Sequence, residues 1–109
     1  NFKDAEKAKF DSLYNSAVPR SAWSAYGEGI SLLSSGKLQE AVNKLNKVLA
    51  YGNDWAYLPD TLYNLGKCYM GLNDKKNALS TFQKIKERFP NSEYARYSDY
   101  RINELNSQP

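Results

Sequence analysis

The sequence predicts an all-α protein: two helical hairpins stacked in order, with a flanking helix before them and a capping helix after them. Three observations carry the prediction. The chain repeats itself at a fixed offset, since Gly29 and Gly66 stand 37 residues apart and so do Ala41 and Ala78. Two landmarks that hold one spacing mark a repeated structural unit. Apolar and small residues then recur at helical spacing, as in Leu62, Leu65, Gly66 and Tyr69 at i, i+3, i+4 and i+7. Finally, helix breakers punctuate the pattern at Gly36, at residues 71–74 and at Pro90. At 109 residues, with 41% hydrophobic and 25% charged, the chain has the length and composition of one small globular domain.

Residues 1–18 form the flanking element. Ala5, Phe10, Leu13 and Ala17 are spaced as on a helix or a heptad, which suits either the second helix of a degenerate earlier unit or the tail of a longer coiled coil. Repeat one covers residues 21–53. Its first helix spans about 22–34, Gly36 breaks it, and a second helix spans about 38–50. There Glu40 and Lys44 form an i,i+4 pair worth a few tenths of a kcal/mol. A further echo sets Pro19 against Pro90 at an offset of 71, one spacing of 37 and one of 34. The three extra residues fall in the loop 51–58, where Trp55 and Tyr57 either pack on the edge of the core or meet a ligand. Repeat two covers residues 59–91. Pro59 suits the first turn of its first helix, where a missing N–H costs nothing. Asp74 is a suitable N-cap for a helix over 75–88 whose apolar stripe is Ala78, Leu79, Phe82, Ile85 and Phe89. The glycines and alanines of the repeat mark where paired helices cross closely. Residues 92–106 form the capping helix, with Ala95, Ile102 and Leu105 turned inward. At the 34-residue offset Tyr100 falls where Gly66 stands, so the close crossing is lost there.

The run Leu65-Gly66-x-x-Tyr69, followed by Ala78-x-x-x-Phe82 and Pro90, resembles the tetratricopeptide repeat, with Leu62 in the tryptophan slot. The first unit keeps Gly29, Gly36 and Ala41 but departs at Ala25, Glu28, Leu32, Leu45 and Asn53. The resemblance implies a right-handed superhelical stack whose first helices line a concave face. It also implies a scaffold that binds a protein or peptide segment, since such repeats serve many clients. The carboxylate clamp by which some relatives hold chaperone tails is not reproduced. Tyr26 and Tyr63 stand in its leading lysine slot and Lys67 in its asparagine slot, and Asn64 alone fits. Phe89-Pro90-Asn91-Ser92-Glu93-Tyr94-Ala95 is similar to a junction in bacterial envelope repeat proteins, including the periplasmic partner of the Tol–Pal system and outer-membrane-assembly lipoproteins. That similarity implies an extracytoplasmic or cell-envelope location, against a cytoplasmic alternative. Membrane attachment would then come only through an anchor upstream of Asn1, the chain being read as an excised or processed domain.

Catalysis and cofactors are not expected. The chain has no histidine and one cysteine. Cys/His zinc sites, disulfide frameworks and histidine-activated nucleophiles are therefore excluded within it. No metal site, glycine-rich phosphate loop or catalytic residue is read from the sequence. Glu28 is expected to be a carboxylate bonded to a neighbouring tyrosine or lysine, and Cys68 a small half-buried apolar residue. Fifteen basic against twelve acidic residues give a net charge of +3. The basic run at Lys75, Lys76, Lys84, Lys86 and Arg88 is interrupted by Asp74 and Glu87, which argues against a nucleic-acid partner.

The concave face is the candidate site. Tyr26, Tyr63 and Tyr97 stand at equivalent places in three successive units, at offsets of 37 and 34. With Lys67, Met70 and Arg101 they form the candidate peptide-binding set, in which aromatics supply area and cations steer acidic groups. The alternatives are that these tyrosines are core, or are covered by the N-terminal helix. A further alternative is that the domain self-associates as the head of a coiled-coil, membrane-tethered envelope protein.

Overall fold

The computed structural model describes residues 20–52, 55 and 57–108. The expected flanking helix over 1–18 lies outside the described residues. The described chain is all-α, with α1 (Arg20–Ser34), α2 (Leu38–Leu49), α3 (Leu58–Gly71), α4 (Lys75–Arg88) and α5 (Glu93–Asn106). Each helix packs on the next, and α1 also touches α3, as α3 touches α5. The first helices of the units thus lie side by side along one face, which positions the site.

Both hairpins turn by the same device. Gly36 follows α1 at φ +79°, a left-handed conformation that glycine adopts without a Cβ clash. Asn73, 37 residues on, takes φ +59° after α3. The closing hydrogen bonds match too: Lys37 N–H donates to Leu32 C=O at 2.9 Å, and Asp74 N–H donates to Tyr69 C=O at 2.9 Å. Asp74 then caps α4, its Oδ1 accepting from Asn77 N–H at 3.2 Å. Ser92 caps α5, its Oγ accepting from Ala95 N–H at 3.2 Å while donating to Phe89 C=O at 2.8 Å. Pro59 lies in the first turn of α3.

The helix crossings repeat as well. A side chain on Gly29 would bring its Cβ to 2.7 Å from Leu45 Cδ2, and one on Gly66 would come to 2.6 Å from Phe82 Cε1. Leu45 and Phe82 are fully buried 37 residues apart, and Ala41 and Ala78 beside them are also sealed from solvent. Gly71 makes a third close approach, against Leu38 of α2, joining the first pair to the second.

Trp55, placed by sequence at the edge of the core, is instead inside it at 2% exposure. Its Nε1–H donates to the buried Thr61 Oγ1 at 2.8 Å, which lets an indole enter the core with its polar atom satisfied. Tyr57 remains exposed. Cys68 is fully rather than half buried, and burial pushes its thiol pKa up. Lys44 turns away from its helical neighbour Glu40 to pair with Glu28 of α1 at 2.8 Å. Hydrogen bonding to Lys44 holds the Glu28 carboxyl below its ordinary range.

On α5, Ala95, Ser98, Ile102 and Leu105 face inward. The positions one 34-residue spacing beyond Leu62, Leu65, Gly66 and Tyr69 are Arg96, Asp99, Tyr100 and Asn103. All four are exposed, Tyr100 at 68%. Where α3 presents a packing face to α4, α5 presents these side chains to water.

Candidate functional site

The face lined by α1, α3 and α5 carries two grooves. The first, of about 500 Å³, is lined by Tyr63, Arg96, Tyr97, Tyr100 and Arg101. Arg101 Nε–H donates to the Tyr63 hydroxyl at 3.1 Å, and Arg101 Nη1 pairs with Glu104 at 3.2 Å. The bond to Tyr63, together with Glu104, stabilises the guanidinium cation and raises its pKa further. The Tyr63 ring lies 5.9 Å from that of Tyr97 and 5.5 Å from that of Tyr94, and the Lys67 ammonium stands 5.8 Å over its face. Tyr63 is anchored below by Phe82, with ring centroids 5.7 Å apart. It is half core and half surface, whereas Tyr97 is 44% exposed.

Thus the structure gathers Tyr63, Tyr97 and Arg101, with Lys67 alongside. Met70 sits apart, half-buried against the main core. Tyr26 is separated too, because its hydroxyl donates to Asp60 at the start of α3. Its ring joins an aromatic cluster with Trp55 at 5.4 Å and Tyr57 at 6.1 Å. Equivalence in register does not make the three tyrosines a single ladder.

The second groove, of about 350 Å³, is lined by Tyr26, Tyr57, Pro59, Asp60, Glu93 and Tyr94. Asp60 is its centre. Besides Tyr26, the Asn64 amide donates to its main-chain carbonyl at 2.9 Å and its Oδ1 at 3.4 Å. Hydrogen bonding to Asp60, with burial and the nearby Glu93 charge adding to it, pushes the Tyr94 phenol up to about 12. Sequence reasoning missed Asp60, Glu93, Arg96 and Tyr100 as site residues. Tyr94 stands one 34-residue spacing beyond Asp60, so register treats the two as counterparts rather than partners. The usable signal was the place of Asp60 and Glu93 in the first turns of their helices.

A third cleft, of about 580 Å³, lies between α1 and α2, lined by Glu28, Ser31, Leu32, Glu40, Asn43, Lys44 and Lys47. The Glu28–Lys44 ion pair already spans it. Among the described residues no group of three or more metal-ligating side chains gathers, and no helix is long and apolar enough to cross a membrane.

Compared with curated proteins, the chain finds no match. Residues 60–92, the span of the α3/α4 hairpin, match the family model of the tetratricopeptide repeat, and the chain carries that repeat there.

Proposed function

We propose that the domain is a non-catalytic docking scaffold that holds a protein segment along the face of α1, α3 and α5. Tyr63 and Tyr97 supply contact area, while Arg101 and Lys67 pair with acidic groups. A tetratricopeptide repeat is in general a protein-interaction unit, which supports the coarse reading. The observation that carries the finer one is the open groove beside Arg101, where Tyr97 and Tyr100 stay 44% and 68% exposed. Exposed aromatics beside arginines are the side chains in which interface energy concentrates. An extracytoplasmic location remains part of the proposal, supported by the Pro90–Ala95 junction.

Tyr97 is a cleaner probe than Tyr63, because Tyr63 also packs on Phe82. Panning a displayed peptide library against the protein should enrich acidic sequences. Tyr97→Ala should weaken their binding by about 1–3 kcal/mol while circular dichroism stays unchanged. Lys67→Glu should slow association and reduce its salt dependence. Selected peptides that bind Tyr97→Ala and Arg101→Ala as tightly as the parent protein would overturn the site.

A further inference from the structure

The second groove has the opposite charge from the first. Asp60 and Glu93 contribute two carboxylates, and three of the six lining side chains are tyrosines. Among the described residues neither carboxylate has a Lys or Arg within ion-pair distance. Hydrogen bonds from Tyr26, Asn64 and Tyr94 orient the Asp60 carboxylate without neutralising it. A carboxylate offers about four lone-pair positions, so about one remains on Asp60, while Glu93 stands exposed beside it. The Tyr94 phenol is raised chiefly by its hydrogen bond to Asp60, with burial and the Asp60 and Glu93 charges adding to it. The walls suit a cation as well. Tyr26 and Tyr57 stack at 23° between ring planes, and Tyr94 and Glu93 of α5 line the same groove.

We infer that the groove formed by Tyr26, Tyr57, Asp60, Glu93 and Tyr94 binds the cationic side chain, arginine above all, of the docked protein segment. A guanidinium can pair with Asp60 while its flat face lies on a tyrosine ring, which an ammonium does less well. This rests on the reading that the α1/α3/α5 face takes a protein segment, and it gives the segment a direction. The basic residue lies toward the start of α3 and the acidic residue toward Arg96 and Arg101. Tyr63, Tyr94 and Tyr97 form the aromatic floor between, with Tyr94 and Tyr97 edge to face at 5.8 Å.

The test is a titration of the isotope-labelled full chain, followed by amide and tyrosine-ring resonances. N-acetyl-arginine amide should shift Tyr26, Tyr57, Asp60, Glu93 and Tyr94 saturably. The neutral N-acetyl-citrulline amide, of the same shape, should bind at least about tenfold more weakly. Glu93→Gln, at an exposed position, and Asp60→Asn should each weaken the arginine probe several-fold, with helical circular dichroism as the control. N-acetyl-glutamate amide provides a separate arm and should move Arg96, Tyr97, Tyr100 and Arg101 instead. Absence of saturable arginine shifts, equal binding of the citrulline probe, or indifference to both substitutions would overturn the inference. With the glutamate arm intact, the docking face itself would survive that result; with both arms silent, it falls as well. Shifts of the same groove on concentrating the protein alone would assign it to a second copy and also overturn the inference.

Discussion

Gly66 concentrates the argument for the repeat in one missing side chain. Phe82 is fully buried, and a Cβ on Gly66 would come to 2.6 Å from its ring. Gly66→Leu should cost at least about 2 kcal/mol by overpacking, measured by urea or thermal denaturation. Gly27→Ala is the contrast on α1, since nothing lies within 4 Å of a Cβ there. It should stabilise by about 0.5–1 kcal/mol through helix propensity. A melting point unmoved by Gly66→Leu would contradict the close crossing. Tyr94 supports a second expectation. Its folded-state pKa of about 12 lies above the ordinary tyrosine value of 10.0, so the folded state holds the proton more tightly. The resulting stabilisation is complete below pH 10 and is lost as pH rises toward 12. Between those values the melting temperature should fall more steeply in the parent than in Tyr94→Phe. Spectrophotometric titration should show the substitution removing a late-ionising phenol.

The turns reveal how differently two equivalent positions read in a sequence. Gly36 announces a left-handed residue by its identity, whereas Asn73 does the same work at the same place in the next unit without doing so. Asp74, Pro59 and Pro90 gave the ends of α3 and α4 because capping and breaking are chemistry local to a few residues. Trp55 was misplaced because its burial depends on Thr61, a partner that periodicity does not flag. Ser92 is a cap of the local kind, tying α5 to the end of α4 through two bonds. Ser92→Ala should lower stability by about 1 kcal/mol in denaturant titrations. Ser92→Asp, which can still accept from Ala95 N–H, should recover most of that loss.

The stack as a whole was readable because each pair repeats the contacts of the last: Gly29 on Leu45, Gly66 on Phe82, Ala41 and Ala78 within. The candidate site was readable only in part. Tyr63, Tyr97 and Arg101 meet because α3 and α5 lie side by side. Tyr26 is drawn away by Asp60, a long-range bond that no spacing rule anticipates. The junction between the two pairs also holds both tryptophans of the chain, Trp23 and Trp55, with ring centroids 4.8 Å apart. Intrinsic fluorescence therefore observes one seam of the stack, while far-ultraviolet circular dichroism weighs all five described helices. In a chain whose elements touch chiefly their neighbours, these two signals are separate clocks: they keep the same time when the stack opens as a unit, and diverge when it parts first where Trp23 of α1 meets Trp55.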